Sequence, residues 1–138
     1  MEKSAEQPRM LEMPRIYDPR GSLTFVQNTP DSLPFGIRRV FWTYDVPAGE
    51  GRGGHAHRVD SEIVIAVNGS FRANLFDGHE WSHFTLNRPN FGLLVPPGYW
   101  RTLDDFSSGS VCLVLASELY DALEYIYDFD EFLKIKGV

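Results

Sequence analysis

The stretch that decides the fold is Gly49-Glu-Gly-Arg-Gly-Gly-His55-Ala-His57-Arg-Val-Asp-Ser-Glu62-Ile-Val-Ile-Ala-Val-Asn-Gly69. A glycine-rich run leads into a His-x-His pair, and an apolar strand that ends in an Asn-Gly turn follows it. Because side chains at i and i+2 of a strand share one face, His55 and His57 are predicted to point the same way, with Cα atoms roughly 6–7 Å apart. The strand that begins at Glu62 can carry its carboxylate back toward them. The stretch therefore predicts a chemical site on neighbouring β-strands.

The rest of the chain consists of short apolar segments separated by Gly, Pro and Asn turns. Residue alternation, or enrichment in β-branched and aromatic residues, predicts further strands at 22–27, 37–44, 71–76, 80–86, 91–95, 99–106 and 111–117. The Asn-Gly turn predicts a hairpin between the strands at 62–67 and 71–76. The strand at 111–117 is apolar on both faces, so we expect it to be central in its sheet. Only 121–135 has apolar residues at helical spacing, and the pattern predicts an all-β sandwich or barrel with a C-terminal helix.

Length and composition limit the class of protein. The chain has 138 residues, one cysteine and a net charge of −6. We predict one domain at residues 15–138 after a polar segment at 1–14, which is expected to be a flexible tail. The charge argues against a nucleic-acid-binding surface, and no apolar run is long enough for a membrane span. A lone cysteine excludes an internal disulfide and 1–14 lacks the apolar core of a signal peptide, so we expect a cytoplasmic protein.

Several motifs resemble known families. The opening stretch resembles the first cupin signature in the spacing of Gly49, His55, His57, Glu62 and Gly69. A later segment resembles the second cupin signature; it is Pro96-Pro97-Gly98 followed by Arg101. Within the cupins, the chain resembles the nucleotide-sugar 3,4-ketoisomerases from about Ile16 to Phe132. The motifs that carry this resemblance are Asp18-Pro-Arg20-Gly21-Ser-Leu, Pro34-Phe-Gly-Ile-Arg-Arg-Val, Arg52-Gly-Gly-His55-Ala-His57, Val67-Asn-Gly-Ser70 and Leu115-Ala-Ser-Glu-Leu-Tyr-Asp121.

The resemblance implies a double-stranded β-helix, or jelly-roll barrel, with a short C-terminal helix. It implies an enzyme that isomerises thymidine-diphosphate (TDP)-4-keto-6-deoxyglucose in deoxysugar biosynthesis. Such an enzyme works as a metal-free homodimer, without a cofactor, in which strands are exchanged between subunits. The resemblance also implies that His55 and His57 are the acid–base groups, and that Arg20 and Arg52 belong to the substrate site.

The histidines suit this reaction on chemical grounds as well. Moving a ketone from C4 to C3 removes a proton next to a carbonyl, passes through an enediol and protonates the neighbouring carbon, which requires groups with a pKa near neutrality. Which histidine removes the carbon-bound proton stays open. Tyr44 has a hydroxyl near the entrance to the histidine loop and is a further candidate for proton transfer, although core packing is equally consistent with its position.

Arginine is the side chain best suited to holding a diphosphate, because its planar fork matches the phosphate oxygens. Arg20 follows an Asp-Pro turn and Arg52 lies in the glycine-rich loop, so both are candidates. For Arg38 and Arg39 we expect solvated surface charges instead.

Two residues at the predicted site depart from the ketoisomerase pattern. Glu62 stands where these enzymes usually have glutamine, and Arg101 stands where they have histidine after the tryptophan. We predict a Glu62–Arg101 ion pair at the substrate site. The pair would occupy the place that a metal has in other cupins, and Arg101 could not bind a metal because a guanidinium cannot be a ligand. A third difference is Tyr127, which replaces the arginine of a Tyr-Ile-Arg motif.

The departures leave three other functions open. One is an epimerase acting on the same substrates. Another is a sensory or ligand-binding cupin without turnover. The third is a metal-dependent dioxygenase, for which His55, His57 and Glu62 would be a reasonable ligand set.

Overall fold

The computed structural model describes residues 6–138, which form twelve strands, one 3-10 turn (Ala122–Glu124) and one α-helix. In chain order the other elements are β1 (Arg9–Glu12), β2 (Arg15–Asp18), β3 (Gly21–Thr24), β4 (Arg39–Tyr44), β5 (Arg52–His57), β6 (Glu62–Asn68), β7 (Phe71–Phe76), β8 (Trp81–Leu86), β9 (Phe91–Val95), β10 (Trp100–Asp104), β11 (Val111–Ala116), β12 (Tyr125–Ile126) and α1 (Phe129–Lys136). The all-β prediction is confirmed. Over the described residues, no helix has the length and apolar character that crossing a membrane would require.

Ten strands form two five-stranded antiparallel sheets, with strand orders β1-β9-β6-β11-β4 and β12-β5-β10-β7-β8. Strands β2 and β3 form a separate hairpin. The apolar core lies between the two sheets and includes Val64, Leu75, Leu93 and Val114. This is the jelly-roll barrel that the family resemblance implied. Strand β11 lies in the interior of its sheet, between β6 and β4, although β6 is the central strand.

The predicted hairpin at Asn68-Gly69 is wrong, although the turn itself is present. Strand β6 lies in one sheet and β7 in the other, so the turn carries the chain across the barrel. The ladder breaks at Ser70, whose backbone N–H donates to Ser107 Oγ (2.9 Å) and whose carbonyl accepts from the Ser107 N–H (2.9 Å). Gly69 has φ +71°, and a Cβ there would come within 2.9 Å of the Ser110 Cα, so only glycine fits this crossing.

The N-terminal prediction also needs correction. Residues 1–5 lie outside the described part of the chain, but Arg9–Glu12 form strand β1, which pairs with β9 rather than belonging to a flexible tail. The reason is apolar burial, since Met13 is 6% exposed and packs with Leu11 on the outer side of the first sheet. The domain therefore begins before residue 15.

The C-terminal helix is shorter than the predicted 121–135. Helix α1 begins after Asp128, whose side chain accepts from the Asp130 N–H (2.9 Å) as an N-cap. The residues before it form the 3-10 turn and β12, which pairs with β5 through Tyr125 opposite His57. The apolar spacing that resembled a helix thus belongs to three different elements. This arrangement brings the 3-10 turn and β12 next to the histidines.

Candidate active site

The two histidines lie at the end of β5 and share one face, as the i, i+2 spacing predicted. Their Nε2 atoms are 3.1 Å apart, and the rings meet edge to face with centroids 4.8 Å apart. On the neighbouring strand β10, Arg101 is the cross-strand partner of His55. The β5–β10 register shifts just beyond this pair, where Gly53 takes φ +98°, a conformation that side chains with a Cβ rarely adopt. The glycine-rich run therefore serves to turn β5 into the barrel.

The histidine strand borders a cavity of about 480 Å³ that opens between the sheets. His55 and Arg101 form part of its wall, whereas His57 is 1% exposed and lies behind them. The remaining lining residues are Phe41, Thr43, Gly51, Arg52, Gly53, Gly54, Glu62, Val64, Leu103, Cys112, Val114, Tyr125 and Tyr127. The lining is apolar at its base, with polar groups converging near the histidines, as is common in small-molecule sites.

Glu124 holds His57 from the side opposite the cavity. Its Oε1 is 2.6 Å from His57 Nδ1, and its Oε2 accepts from the backbone N–H groups of Val59 (2.9 Å) and Asp60 (3.1 Å). Burial raises the pKa of Glu124, but the bonds from His57 and Val59 outweigh burial and the pKa lies below its usual value. Glu124 is therefore a carboxylate at neutral pH. Sequence reasoning missed it, because it is 67 positions from His57 and no motif spacing links the two.

The predicted Glu62–Arg101 ion pair is confirmed. Arg101 Nη1 donates to Glu62 Oε1, and the two side chains are only 4% and 2% exposed. Glu62 Oε2 lies 3.4 Å from His57 Nε2. Within residues 6–138, no protein group accepts a hydrogen bond from Arg101 Nε or Nη2. A ligand in the cavity could satisfy these buried donors.

The prediction that Arg39 is a solvated surface charge is wrong. Its side chain is 17% exposed, and Nη2 lies 3.3 Å from Asp60 Oδ2 and 3.6 Å from Glu62 Oε2. It also donates to the Tyr125 hydroxyl at 3.1 Å. Strand alternation explains the difference, because Arg39, like Phe41, is on the inward face of β4. Arg39 thus balances two buried carboxylates behind the histidines.

Asp60 is fully buried next to this arginine. Burial, followed by a hydrogen bond with Glu62, raises the pKa of Asp60 to about 7. The carboxyl also accepts from the backbone N–H of Glu118 (3.1 Å). His57, Asp60 and Glu124 each offer one atom within 4.8 Å of the others, which is close enough for them to hold a metal ion. Each of these atoms already has protein partners, however.

The environment makes both imidazoles hard to protonate. Burial lowers the pKa of His55 to about 2, and the charge of Arg101 adds to this effect. Burial also lowers the pKa of His57, again helped by Arg101, while Glu124 opposes the shift. Both rings are therefore neutral at pH 7 and each has one nitrogen lone pair available to accept a proton.

Tyr44 is not brought to the histidines, contrary to prediction. It is 62% exposed and points outward from β4, because the alternation of this strand places Thr43 inward. Tyr125 takes the predicted position instead, with its ring centroid 4.4 Å from that of His57. Tyr127 stacks on Tyr125 at 5.3 Å and lines the cavity mouth.

The two predicted phosphate-binding arginines lie in different places. Arg52 lines the cavity at its entrance. Arg20 is on the β2–β3 hairpin, where its side chain is 90% exposed and pairs with Asp18 at 2.8 Å. It is absent from the cavity lining of its own chain. The single chain thus assembles all the predicted site residues except Tyr44 and Arg20.

Comparisons with known proteins show the family of the chain. The family model described as FdtA (WxcM-like, C-terminal) matches residues 6–137. The TDP-4-oxo-6-deoxy-alpha-D-glucose-3,4-oxoisomerase of Aneurinibacillus thermoaerophilus is 39% identical over 126 residues, which cover 91% of this chain and 90% of that protein. A 3,4-ketoisomerase from Helicobacter canadensis is 38% identical with a TM-score of 0.91, and the match covers 95% of this chain and 98% of that one.

A further solved relative contains a sugar nucleotide. It is the 3,4-ketoisomerase of Thermoanaerobacterium thermosaccharolyticum, determined as a histidine-to-asparagine mutant in complex with TDP-4-keto-6-deoxyglucose. The identity is 33% and the TM-score 0.91, and 94% of each chain is covered. These matches extend over nearly the whole length of both partners. The chain therefore belongs to the FdtA (WxcM-like, C-terminal) family.

Proposed function

We propose that this protein is a sugar 3,4-ketoisomerase that converts TDP-4-keto-6-deoxyglucose into the 3-keto isomer. The observation that carries the proposal is the pair of neutral imidazoles, His55 and His57, with Nε2 atoms 3.1 Å apart at the wall of a cavity of about 480 Å³. The names of the relatives give the reaction and the nucleotide.

The reaction needs a proton acceptor and a proton donor at adjacent carbons. A histidine removes the proton from C3 next to the C4 ketone, and the electrons form the enediol double bond. The former ketone oxygen O4 takes up a proton as the enediol forms. A proton is then delivered to C4, while the O3 proton leaves so that C3 becomes the ketone and C4 carries a hydroxyl. C3 is oxidised and C4 is reduced within one molecule, so the atoms and electrons balance without an external oxidant. General acid–base help of this kind accelerates reactions by about 10²–10⁴-fold.

Two arginines support binding and charge development. The Nε and Nη2 groups of Arg101 have no acceptor within residues 6–138, and its side chain lines the cavity. Such donors can stabilise the oxygen charge that grows in an enediolate. Arg52 at the cavity entrance is suited to the diphosphate. The sugar is thus placed inward and the phosphates outward.

We also propose that the working form is a homodimer with exchanged strands. Two exposed surfaces carry large apolar side chains, one on the β2–β3 hairpin and one on the outer face of edge strand β4. Their members are Ile16, Tyr17 and Leu23 on the hairpin, and Val40, Trp42 and Tyr44 on β4, with exposures from 46% to 66%. Exposed large apolar side chains that cluster on one surface are a feature of protein interfaces. A partner hairpin would place Arg20 at the site of the other subunit.

The activity is tested by incubating the protein with TDP-4-keto-6-deoxyglucose and following the sugar by NMR. We expect the signals of a 3-keto sugar to appear, and H55N and H57N to slow their formation by at least 100-fold. H79N, which changes an exposed histidine, is the matched control and should retain full activity. An unaltered 4-keto sugar with the wild-type protein would refute the proposed function.

The exchanged dimer is tested by co-expressing two inactive variants. If Arg20 acts in the partner's site, co-expressed R20A and H55N chains form hybrid dimers in which one site has both Arg20 and His55. We expect the co-expressed sample to regain activity that neither variant has alone. No gain in activity, with hybrid dimers present by mass spectrometry, would contradict the exchange. Sedimentation of the wild type as a monomer would contradict the dimer.

A further inference from the structure

We propose that Glu124 is a positioning residue that fixes His57 as its Nδ1–H tautomer and thereby gives the histidine pair a direction of proton transfer. The tautomer itself is a property of the free protein. The kinetic consequence rests on the proposed ketoisomerase function.

The Glu124 carboxylate can only accept a hydrogen bond from His57. Its Oε1 is 2.6 Å from His57 Nδ1, and a carboxylate has no proton to donate, so the nitrogen must carry the hydrogen. Oε2 is held by the backbone N–H groups of Val59 and Asp60, which also require a carboxylate lone pair. Asp60 Oδ2 is 3.8 Å from the same nitrogen, too far for a hydrogen bond. Glu62 Oε2 faces the other nitrogen, Nε2, but at 3.4 Å it is much farther away than Glu124 Oε1 is from Nδ1 at 2.6 Å. Glu124 is therefore the acceptor that sets the tautomer of His57.

This tautomer determines the role of each histidine. With its proton on Nδ1, neutral His57 has a lone pair on Nε2. For the 3.1 Å contact between the two Nε2 atoms to be a hydrogen bond, His55 must then donate from Nε2, in competition with its backbone hydrogen bond to Gly53. In the resting protein, His57 is the acceptor of the pair and His55, which borders the cavity, is the donor. An isomerase that takes a proton at one carbon and returns one at the next needs this difference between its two groups.

The backbone around Glu124 makes a glutamine at this position informative. Two N–H groups face Oε2, so an amide would turn its oxygen toward Val59 and Asp60. Its NH₂ group would then face His57 Nδ1, which could only accept. The E124Q variant should therefore move the His57 proton to Nε2. The direction of the pair would be reversed with almost no change in side-chain shape.

The tautomer is measured directly by ¹⁵N NMR of histidine-labelled protein, with H57N used to assign the His57 signals. We expect the His57 hydrogen on Nδ1 in the wild type and in E124D, which keeps a carboxylate, and on Nε2 in E124Q. A wild-type His57 with its hydrogen on Nε2 overturns the proposal, even if E124Q fails to fold. Because this measurement uses no substrate, its outcome is independent of the proposed function.

The kinetic measurement separates positioning from mere support of the fold. We expect E124Q to lower kcat by about 10²–10⁴-fold with KM within about threefold of wild type; a wrong tautomer in a serine protease triad costs about 10⁴-fold. E124D should recover at least tenfold over E124Q. E131Q, which changes an exposed glutamate bound to Arg58, is the matched control and should behave as wild type. Equal losses in E124D and E124Q, or a kcat loss in E124Q without the tautomer change, would overturn the proposal.

Discussion

Replacing Arg101 by methionine should destabilise the protein strongly, because Glu62 would remain buried without its main partner. Removing one member of a buried ion pair costs about 3–5 kcal/mol. Arg39 Nη2 stays 3.6 Å from Glu62 Oε2 and offsets part of the loss, so we expect about 3 kcal/mol, the lower end of that range. For a chain of this length, this corresponds to a decrease in Tm of roughly 10 °C.

The partner variant E62Q should cost less. The amide oxygen can still accept from Arg101 Nη1, so the loss is that of one charged hydrogen bond, about 1.5 kcal/mol. In the double variant R101M/E62Q both charges are gone, and we expect a total loss of only about 2 kcal/mol. The two substitutions should therefore couple by about 2.5 kcal/mol.

Thermal and urea unfolding at one fixed protein concentration would measure this cycle, since a dimer makes the Tm depend on concentration. Circular dichroism and tryptophan fluorescence should give the same transition. The control is the exposed pair Arg72–Asp104, with N···O 2.9 Å and half-exposed side chains, for which the coupling should be below about 1 kcal/mol. If R101M is no less stable than R101M/E62Q, the reasoning about the buried pair is wrong.

Three further outcomes can be measured on the same preparations. F132A should lower the free energy of unfolding by about 4 kcal/mol in urea titrations, because Phe132 is 0% exposed on the buried face of α1. F129A, at a residue 36% exposed, should cost less than half as much. The pKa of His55 is lowered from 6.5 to about 2 by burial and then by Arg101, so the unfolded state binds the extra proton and stability must fall as the pH drops below 6.5. Between pH 7 and pH 5 the wild type should lose about 2 kcal/mol more than H55N, and an equal loss would contradict the neutral buried ring. R52A should raise KM for the TDP-sugar about tenfold or more with little change in kcat, and a kcat loss with unchanged KM would remove Arg52 from phosphate binding.

Local sequence signals were sufficient for most of the fold. Strand alternation and turn residues predicted most strands of both sheets, because these signals depend on neighbours a few positions apart, but β1 and β12 were missed. These local signals failed where the structure depends on which strands pair, because the sequence does not show strand pairing. Asn68-Gly69 has the composition of a hairpin turn, but contacts with Ser107 and Ser110 send the chain into the other sheet. The prediction for Tyr44 failed for a related reason. Both faces of β4 carry aromatic residues, so the sequence does not show which face of this strand points into the barrel.

The candidate site was predictable only where its residues are close in sequence or depart from a motif. His55 and His57 are two positions apart, and the pairing of Glu62 with Arg101 followed from two simultaneous departures. Glu124 and Arg39 were missed because their partners are distant in sequence. Glu124 reaches His57 from the 3-10 turn across 67 positions, and Arg39 reaches Asp60 from β4 across 21 positions. An acidic residue before a short strand and an arginine at a strand start have many structural roles, and only the folded chain distinguishes them.

The charges around the histidines explain why a pair of departures can leave the site chemically competent. Among the described residues, three carboxyl groups and two guanidiniums form an ion-pair network next to the two rings: Asp60, Glu62, Glu124, Arg39 and Arg101. A lone Glu62 would favour a protonated imidazole, which cannot accept a proton from the substrate. Arg101 cancels that charge and helps to lower the pKa of both rings, so the imidazoles remain neutral acceptors. Glutamine with a neutral histidine would meet the same requirement without charge.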